Sequence, residues 1–362
     1  MAKKSFYLNA SELDAYQLIV LNKSITRSMV VTGCAGSGKS VLALHKAKEI
    51  SSQGRSFLYI VFTQALGSYM RAGIRQLGLD VNSFSTYGKC FAPDKDDLGN
   101  VIGWHWAKGN FDYIIVDEAQ DFSMEAIDVL KSHCNKIFLY GDTAQSLYDK
   151  FFFDKNPTVD MDQLEARLKS WESPHARMDE LIINHRLPKT IARVAQSLND
   201  DDDQFVPRCQ NEGTKKPKIL RFPTLENQLA KVYEIITTFS LEDVGILLYR
   251  REAVKKAGEF LREKGLTVDV FLDDKYNINY DSNNPKIMTF KSAKGLQFET
   301  VFVLDCGSDL GIGESKDLYV AMTRSYDDLY MMYSGQITDL LADVPENLYQ
   351  TTIGSSVSVG RL

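Results

Sequence analysis

Gly33-Cys34-Ala35-Gly36-Ser37-Gly38-Lys39-Ser40 is the most constraining segment of the chain. It fits the pattern G-x-x-x-x-G-K-[ST], with an apolar run, Met29-Val30-Val31, before it and Val41-Leu42-Ala43-Leu44 after it. A strand entering and a helix leaving are the context in which this loop wraps the phosphates of a nucleotide. Glycines let successive backbone N–H groups converge on an anion, and the helix adds the positive end of its dipole. Residues Gly33 to Val41, with Cys34, Ala35, Gly36, Ser37 and Gly38 between, form the expected cradle. Lys39 is expected to reach the β- and γ-phosphates and the Ser40 hydroxyl to ligate Mg²⁺.

Working outward, four strand-like runs fall at Met29–Thr32, Phe57–Phe62, Tyr113–Val116 and Ile137–Tyr140, separated by helical patterns at Ser40–Ile50, Ala65–Leu77 and Met124–Cys134. Apolar strands alternating with helices predict a mainly parallel sheet covered on both faces. The rhythm restarts near residue 180. Strands are expected at Lys218–Phe222, Gly245–Tyr249, Val268–Phe271, Lys286–Thr289, Thr300–Leu304 and Leu329–Tyr333, with helices at Leu225–Thr238 and Glu252–Lys264. The fold class expected is therefore α/β, with two lobes and one phosphate loop between them. Phe91–Asn110, Phe151–Glu172 and Asn199–Lys216 read as irregular, and Thr351–Leu362 as poorly ordered.

At 362 residues the chain is of a size for two ordinary domains, and 44% apolar with 25% charged residues is a globular composition. No apolar run approaches a membrane span, and Met1-Ala2-Lys3-Lys4-Ser5 lacks the apolar core of a secretory signal, so a cytoplasmic location is expected. Five scattered cysteines without a C-x-x-C pair argue against a disulfide framework or a zinc site. The net charge of −6 (42 basic, 48 acidic residues) makes any nucleic-acid contact a matter of a local groove.

The second strong signal is Phe111-Asp112-Tyr113-Ile114-Ile115-Val116-Asp117-Glu118-Ala119-Gln120-Asp121, a buried strand ending in paired acids. Asp117 is expected to hold Mg²⁺ and Glu118 to orient and deprotonate an attacking water. A further strand leads into Gly141-Asp142-Thr143-Ala144-Gln145-Ser146-Leu147-Tyr148, where Gln145 is placed to sense a γ-phosphate.

This order of elements resembles superfamily 1 helicases of the UvrD/Rep type. Leu181-Ile182-Ile183-Asn184-His185-Arg186 is similar to the family's L-x-x-N-Y-R, and Thr289 to Phe298 to its T-x-H-S-A-K-G-L-E-F. Leu318-Tyr319-Val320-Ala321-Met322-Thr323-Arg324 is similar to Y-V-A-x-T-R, and Leu13 to Gln17 and Phe62-Thr63-Gln64 are weaker matches. The resemblance implies two RecA-like lobes, residues 1–178 and 179–340, followed by a flexible tail, 341–362. It implies ATP as the nucleotide, hydrolysed with Mg²⁺ while the protein binds or moves on single-stranded nucleic acid, taken as DNA. Gln17 then reads the adenine edge, His185 stacks on the base, Gln297 lies near the ribose, and Gly295 is a further nucleotide contact. Arg186 and Arg324 reach the γ-phosphate across the cleft, where fixed positive charge best stabilises the transferred phosphoryl. Phe62, Thr63, Tyr148, Lys150 and Lys291 are the implied nucleic-acid contacts.

The chain also departs from the pattern. Family members carry two large inserted subdomains, whereas here about 25 residues separate Tyr87 from the strand ending at Asp117, and about 14 lie between Phe271 and Lys286. Lys150 stands where the family has a stacking aromatic, with Phe151-Phe152-Phe153 directly after it. These departures keep a second expectation open: an ATP-gated switch or scaffold that acts through a protein partner such as a nuclease.

Overall fold

The computed structural model describes residues 10–62, 70, 74, 77–146, 156–198, 206–272, 282–310 and 315–352. Among them the chain forms two six-stranded sheets in which every pairing is parallel, and one two-stranded antiparallel sheet.

The first sheet is built from β1 (Met29–Gly33), β2 (Phe57–Val61), β3 (Phe84–Thr86), β6 (Phe111–Asp117), β7 (Cys134–Gly141) and β8 (Asp179–Leu181), in the order β3-β2-β6-β7-β1-β8. Successive residues of its central strands feed opposite cores. Val31, Tyr59, Ile115 and Phe138 pack with Leu42, Leu44 and Ile50 of α2 (Lys39–Ser52). Val30, Leu58, Ile114 and Leu139 pack with Ile127 and Leu130 of α3 (Met124–Ser132) and Leu164 and Leu168 of α4 (Met161–Trp171). That alternation is why the strands read as unbroken apolar runs. In front of β1 lies α1 (Ala15–Leu21), capped by Asp14.

The second sheet runs β11-β12-β10-β13-β14-β9, from β9 (Lys218–Phe222), β10 (Val244–Leu248), β11 (Asp269–Val270), β12 (Lys286–Thr289), β13 (Phe298–Val303) and β14 (Ser325–Ser334). Helices α6 (Leu225–Phe239) and α7 (Arg251–Glu263) cover one face, while α5 (Lys189–Ala195) and α8 (Ser315–Met322) cover the other. The expected α/β class, two parallel sheets with helices on both faces, is the observed one.

Several details differ from expectation. Phe91–Asn110 is not irregular: β4 (Phe91–Lys95) and β5 (Val101–Trp106) form a hairpin whose register sets Phe91 opposite Trp106. Asp96 builds its turn by accepting the N–H groups of Leu98 and Asn100. Pro93 and Gly103 hid these strands from a propensity reading. Within Phe151–Glu172, α4 is a full helix, started by a capping box in which Asp160 and Gln163 satisfy each other's backbone N–H. The chain beyond 341 was expected to be a flexible tail, yet Leu341 and Val344 are buried in the second core and Gln350 bridges to Lys218. The first sheet also extends past residue 178, since β8 pairs with β1. Most of the Ala65–Leu77 helix lies outside the described residues, although Met70 and Ile74 are helical and buried. Phe151–Phe153 and Asp200–Asp203 also lie outside them.

Candidate nucleotide site

The three strands that matter end at one level. Thr32 of β1 lies beside Gly141 of β7, and Asp117 of β6 beside Tyr140 of β7. The loops leaving them therefore meet in the crevice at the carboxyl ends of the strands, the usual place for a ligand in an open α/β sheet.

The loop after β1 turns through Gly36 (φ +84°) and Gly38 (φ +91°), backbone conformations that side-chain-bearing residues rarely adopt. Gly38 caps α2 with no side-chain acceptor, leaving the first-turn N–H groups to an anion. Lys39 is folded inward, donating from Nζ to the carbonyls of Gly33 and Cys34 (3.1 Å to the latter). Among the described residues, the Ser37 hydroxyl is buried with no hydrogen-bond partner. A left-handed glycine cradle with a spare buried hydroxyl and an inward ammonium fits a phosphate chain.

Ser40 Oγ donates to Asp117 Oδ2 at 2.6 Å, and Tyr59 Oη donates to the same oxygen at 3.1 Å. A hydroxyl and a carboxylate oxygen held together beside a phosphate cradle suit Mg²⁺, which binds through one or two such groups plus substrate phosphates. Burial, then the Glu118 charge, pushes the Asp117 carboxyl up to about 6. Glu118, at φ +60°, is held by Gln120 Nε2 at 2.6 Å. Burial works to raise its pKa, but Lys294, Lys39, the Gln120 hydrogen bond and Arg324 outweigh it, so the carboxyl lies below its ordinary value. It is therefore ionised at neutral pH, as a proton acceptor must be.

The second lobe closes this crevice. Arg324, between α8 and β14, is 1% exposed and donates through Nη2 to Gln145 Oε1 at 2.9 Å. Gln145 Nε2 in turn donates to Asp142 Oδ2 at 2.5 Å. Burial, then Arg186, pushes the Arg324 guanidinium down to about 9, still charged at neutral pH. Arg186 reaches the Thr323 carbonyl at 3.2 Å. Asn184 ties this arm to the phosphate loop: its Nδ2 donates to Ala35 O at 2.5 Å, and its Oδ1 accepts the N–H groups of Arg186 and Leu187. On the other side His185 N donates to Gly36 O, and Gln17 Nε2 to Ser37 O at 2.9 Å.

Of the residues expected at the nucleotide, Gln17, Ala35, Gly36, Gly38, Lys39, Ser40, Val41, Glu118, Gln145, His185, Arg186, Gly295, Gln297 and Arg324 line one cavity of about 160 Å³, with Tyr326 added. Ligand pockets are usually roughly 300–1,000 Å³. Lys39 must leave the loop carbonyls and the walls must part before a triphosphate enters.

Lys294, inside the Thr289–Phe298 segment, is a further residue of the cleft. It is buried, and its Nζ donates to both Asp121 oxygens (2.7 and 2.6 Å) and to the Gln145 carbonyl (2.6 Å), 4.0 Å from Glu118. A second-lobe cation is thus sunk into the first lobe beside the expected base.

Of the expected nucleic-acid residues, the structure describes Phe62 and Lys291. Thr63, Tyr148 and Lys150 lie outside the described residues. Phe62 is half-buried and packs on Tyr87 and Phe122. Lys291 is 3.7 Å from Asp317. Other basic groups are taken up in ion pairs or by carbonyls: Lys215 with Asp327 (2.6 Å), Lys218 with Asp328, Arg250 with Asp309 (2.6 Å), and Lys216 with the Asn347 carbonyl.

Fold and loop together make an α/β arrangement consistent with a P-loop fold. A family model described as an AAA domain matches residues 23–145, the segment from before β1 to Gln145. A search of curated protein sequences gives no match. Among solved structures, the C-terminal domain of a possible DNA helicase from Lactobacillus plantarum WCFS1 is 17% identical with a TM-score of 0.38, covering 46% of this chain and 98% of that one. Arterivirus nonstructural protein 10, a helicase, is 15% identical with a TM-score of 0.44; the match covers 92% of this chain and 63% of that one. No helix among the described residues is long and apolar enough to cross a membrane.

Proposed function

We propose that the chain is an ATP-driven motor of the UvrD/Rep type, hydrolysing ATP between two RecA-like lobes while it binds or translocates on single-stranded nucleic acid, DNA in the first instance. The observation that carries this reading is the buried contact of Arg324 with Gln145, 179 positions apart, which sets a second-lobe guanidinium beside the P-loop crevice. A binding-only P-loop domain needs no such group, whereas phosphoryl transfer gains most from fixed cations around the γ-phosphate. Lys39 exchanges the Gly33 and Cys34 carbonyls for phosphate oxygens, and Glu118, oriented by Gln120, takes the proton of the attacking water. Gln145 links that water to Arg324, and Arg186 adds the second guanidinium. Ser40 and Asp117 would hold Mg²⁺, which would supply positive charge against the phosphates.

A second reading, an ATP-gated switch working through a protein partner such as a nuclease, is favoured by the ion-pairing of Lys215, Lys218 and Arg250, which leaves fewer cations for a phosphate track. ATPase rates with and without single-stranded DNA or RNA, over a salt titration, separate the two. Stimulation that falls steeply with salt is the motor's result, because phosphate contacts release counterions. A flat rate is the switch's result.

A further inference from the structure

The hairpin β4–β5 carries apolar side chains that the fold does not cover. Leu98 and Ile102 are 87% and 69% exposed and Val101 is 50% exposed, all within five positions of the chain. Elsewhere among the described residues, exposed apolar side chains such as Val81 and Phe239 stand singly, which needs no explanation. Between the hairpin and α3 lies a hollow of about 640 Å³. Val101, Ile102 and Trp104 line it from β5, and Ala126 and Val129 from α3. Its one charged lining residue is Glu125, which is exposed and one helical turn from Val129. The hairpin is anchored by rings: Phe91 packs on Tyr87 at 4.7 Å and on Trp106 at 5.5 Å. The groove is therefore preformed, and an occupant would not have to order it.

The border of the groove is acidic. Asp94, Asp96 and Asp97 crowd one end of the hairpin, with Lys95 among them. Asp94 lies opposite Gly103, which lines the hollow, and a Cβ there would sit 3.2 Å from Asp94 Oδ2. The Asn100 amide and the turn N–H groups hold the Asp96 carboxyl below its ordinary value, so it stays charged. With Glu125, four carboxylates thus flank an apolar surface. Such a border repels a phosphate backbone, and a small-molecule site would need several polar groups converging inside the hollow. An exposed apolar patch with a charged rim is complementary to a protein surface of the opposite sign. We propose that this groove docks a segment of a partner protein in which large apolar side chains stand beside lysine or arginine. The apolar side chains pack between Ile102 and Val129, and the basic ones pair with Glu125 and Asp94. The proposal goes beyond the nucleotide reading and stands whether or not the cleft hydrolyses ATP.

The test pans a displayed library of random linear peptides against the full chain and titrates the enriched peptides by fluorescence anisotropy. The expected sequences combine large apolar residues with Lys or Arg. Ile102→Asp should weaken them by about tenfold or more, as the loss of a central interface anchor does. Glu125→Lys should weaken them by about tenfold and bind versions with Glu in place of Lys better than the originals. Both side chains are exposed, so Tm should stay unchanged in either variant, which separates lost docking from lost folding. No enrichment, enrichment of acidic or uncharged peptides, or binding indifferent to Ile102→Asp overturns the proposal. Sedimentation should be the same for the unmodified chain and for Ile102→Asp; a dimer that this substitution dissociates gives the face to a second copy of the chain and overturns the proposal. Duplex DNA binding that Lys95→Glu abolishes gives the face to nucleic acid and overturns it as well.

Discussion

Asp117 and Glu118 are neighbours in the chain with opposite electrostatic situations. Glu118 faces Lys294 and Lys39 and is kept ionised, whereas Asp117 is pushed from 3.8 up to about 6 by burial and by Glu118. A carboxyl whose folded pKa exceeds its unfolded value destabilises the fold once ionised. The cost is full above about pH 6, fades as the pH falls toward 4, and is absent below that. Asp117→Asn should therefore stabilise the Mg²⁺-free protein at pH 8 by on the order of 1–3 kcal/mol, with the gain shrinking by pH 5. Thermal denaturation at the two pH values checks this, and an equal effect at both contradicts it. Glu118→Gln keeps the shape and the bond to Gln120 while removing the carboxylate proposed as the base. Nucleotide binding should survive and turnover fall by roughly 10²–10⁴-fold; turnover near wild type would remove Glu118 from the chemistry. At this scale most of the residues that line the cleft were legible, because a phosphate cradle needs particular residue types at fixed spacing. Lys294 and Asp121 were not: their contact spans 173 positions and depends on how the two lobes dock.

Among the elements, α2 carries the sharpest consequence, because its N-terminus is the cradle. Gly38 combines φ +91° with a Cβ position 2.3 Å from Gln17 Nε2. Gly38→Ala should cost about 1–3 kcal/mol of stability through backbone strain and displace Gln17 from the loop. Calorimetric titration with a nucleotide should show binding lost while circular dichroism still reports a folded chain; unchanged affinity would mean that the loop tolerates a different path. The sheet strands were readable because both faces are covered, which makes each strand a continuous apolar run. The hairpin β4–β5 was not, since only part of it is buried and Pro93 and Gly103 break the propensity. Helix α4 does carry a signal in the sequence, the capping pair Asp160 and Gln163.

In the whole molecule, residues of both lobes line one cleft. The ion pair of Lys294 with Asp121 is buried on both sides (side chains 1% and 0% exposed), and removing one partner of such a pair typically costs about 3–5 kcal/mol. Lys294→Met should weaken the docking of the lobes, read as a lower Tm and faster proteolysis between them; an unchanged Tm would show that the pair does not hold them. The nucleic-acid face was the least legible part, because charged side chains at a surface pair with whatever the fold brings near. Lys215 and Lys218 found Asp327 and Asp328, contacts no motif announced. The ATPase turnover of Arg324→Ala, measured alongside its affinity for nucleotide, tests whether the two lobes share one site. A guanidinium that stabilises the transferred phosphoryl from the second lobe predicts a fall of about 10³–10⁵-fold in turnover with affinity largely kept. Turnover near that of the unmodified chain would contradict a shared site.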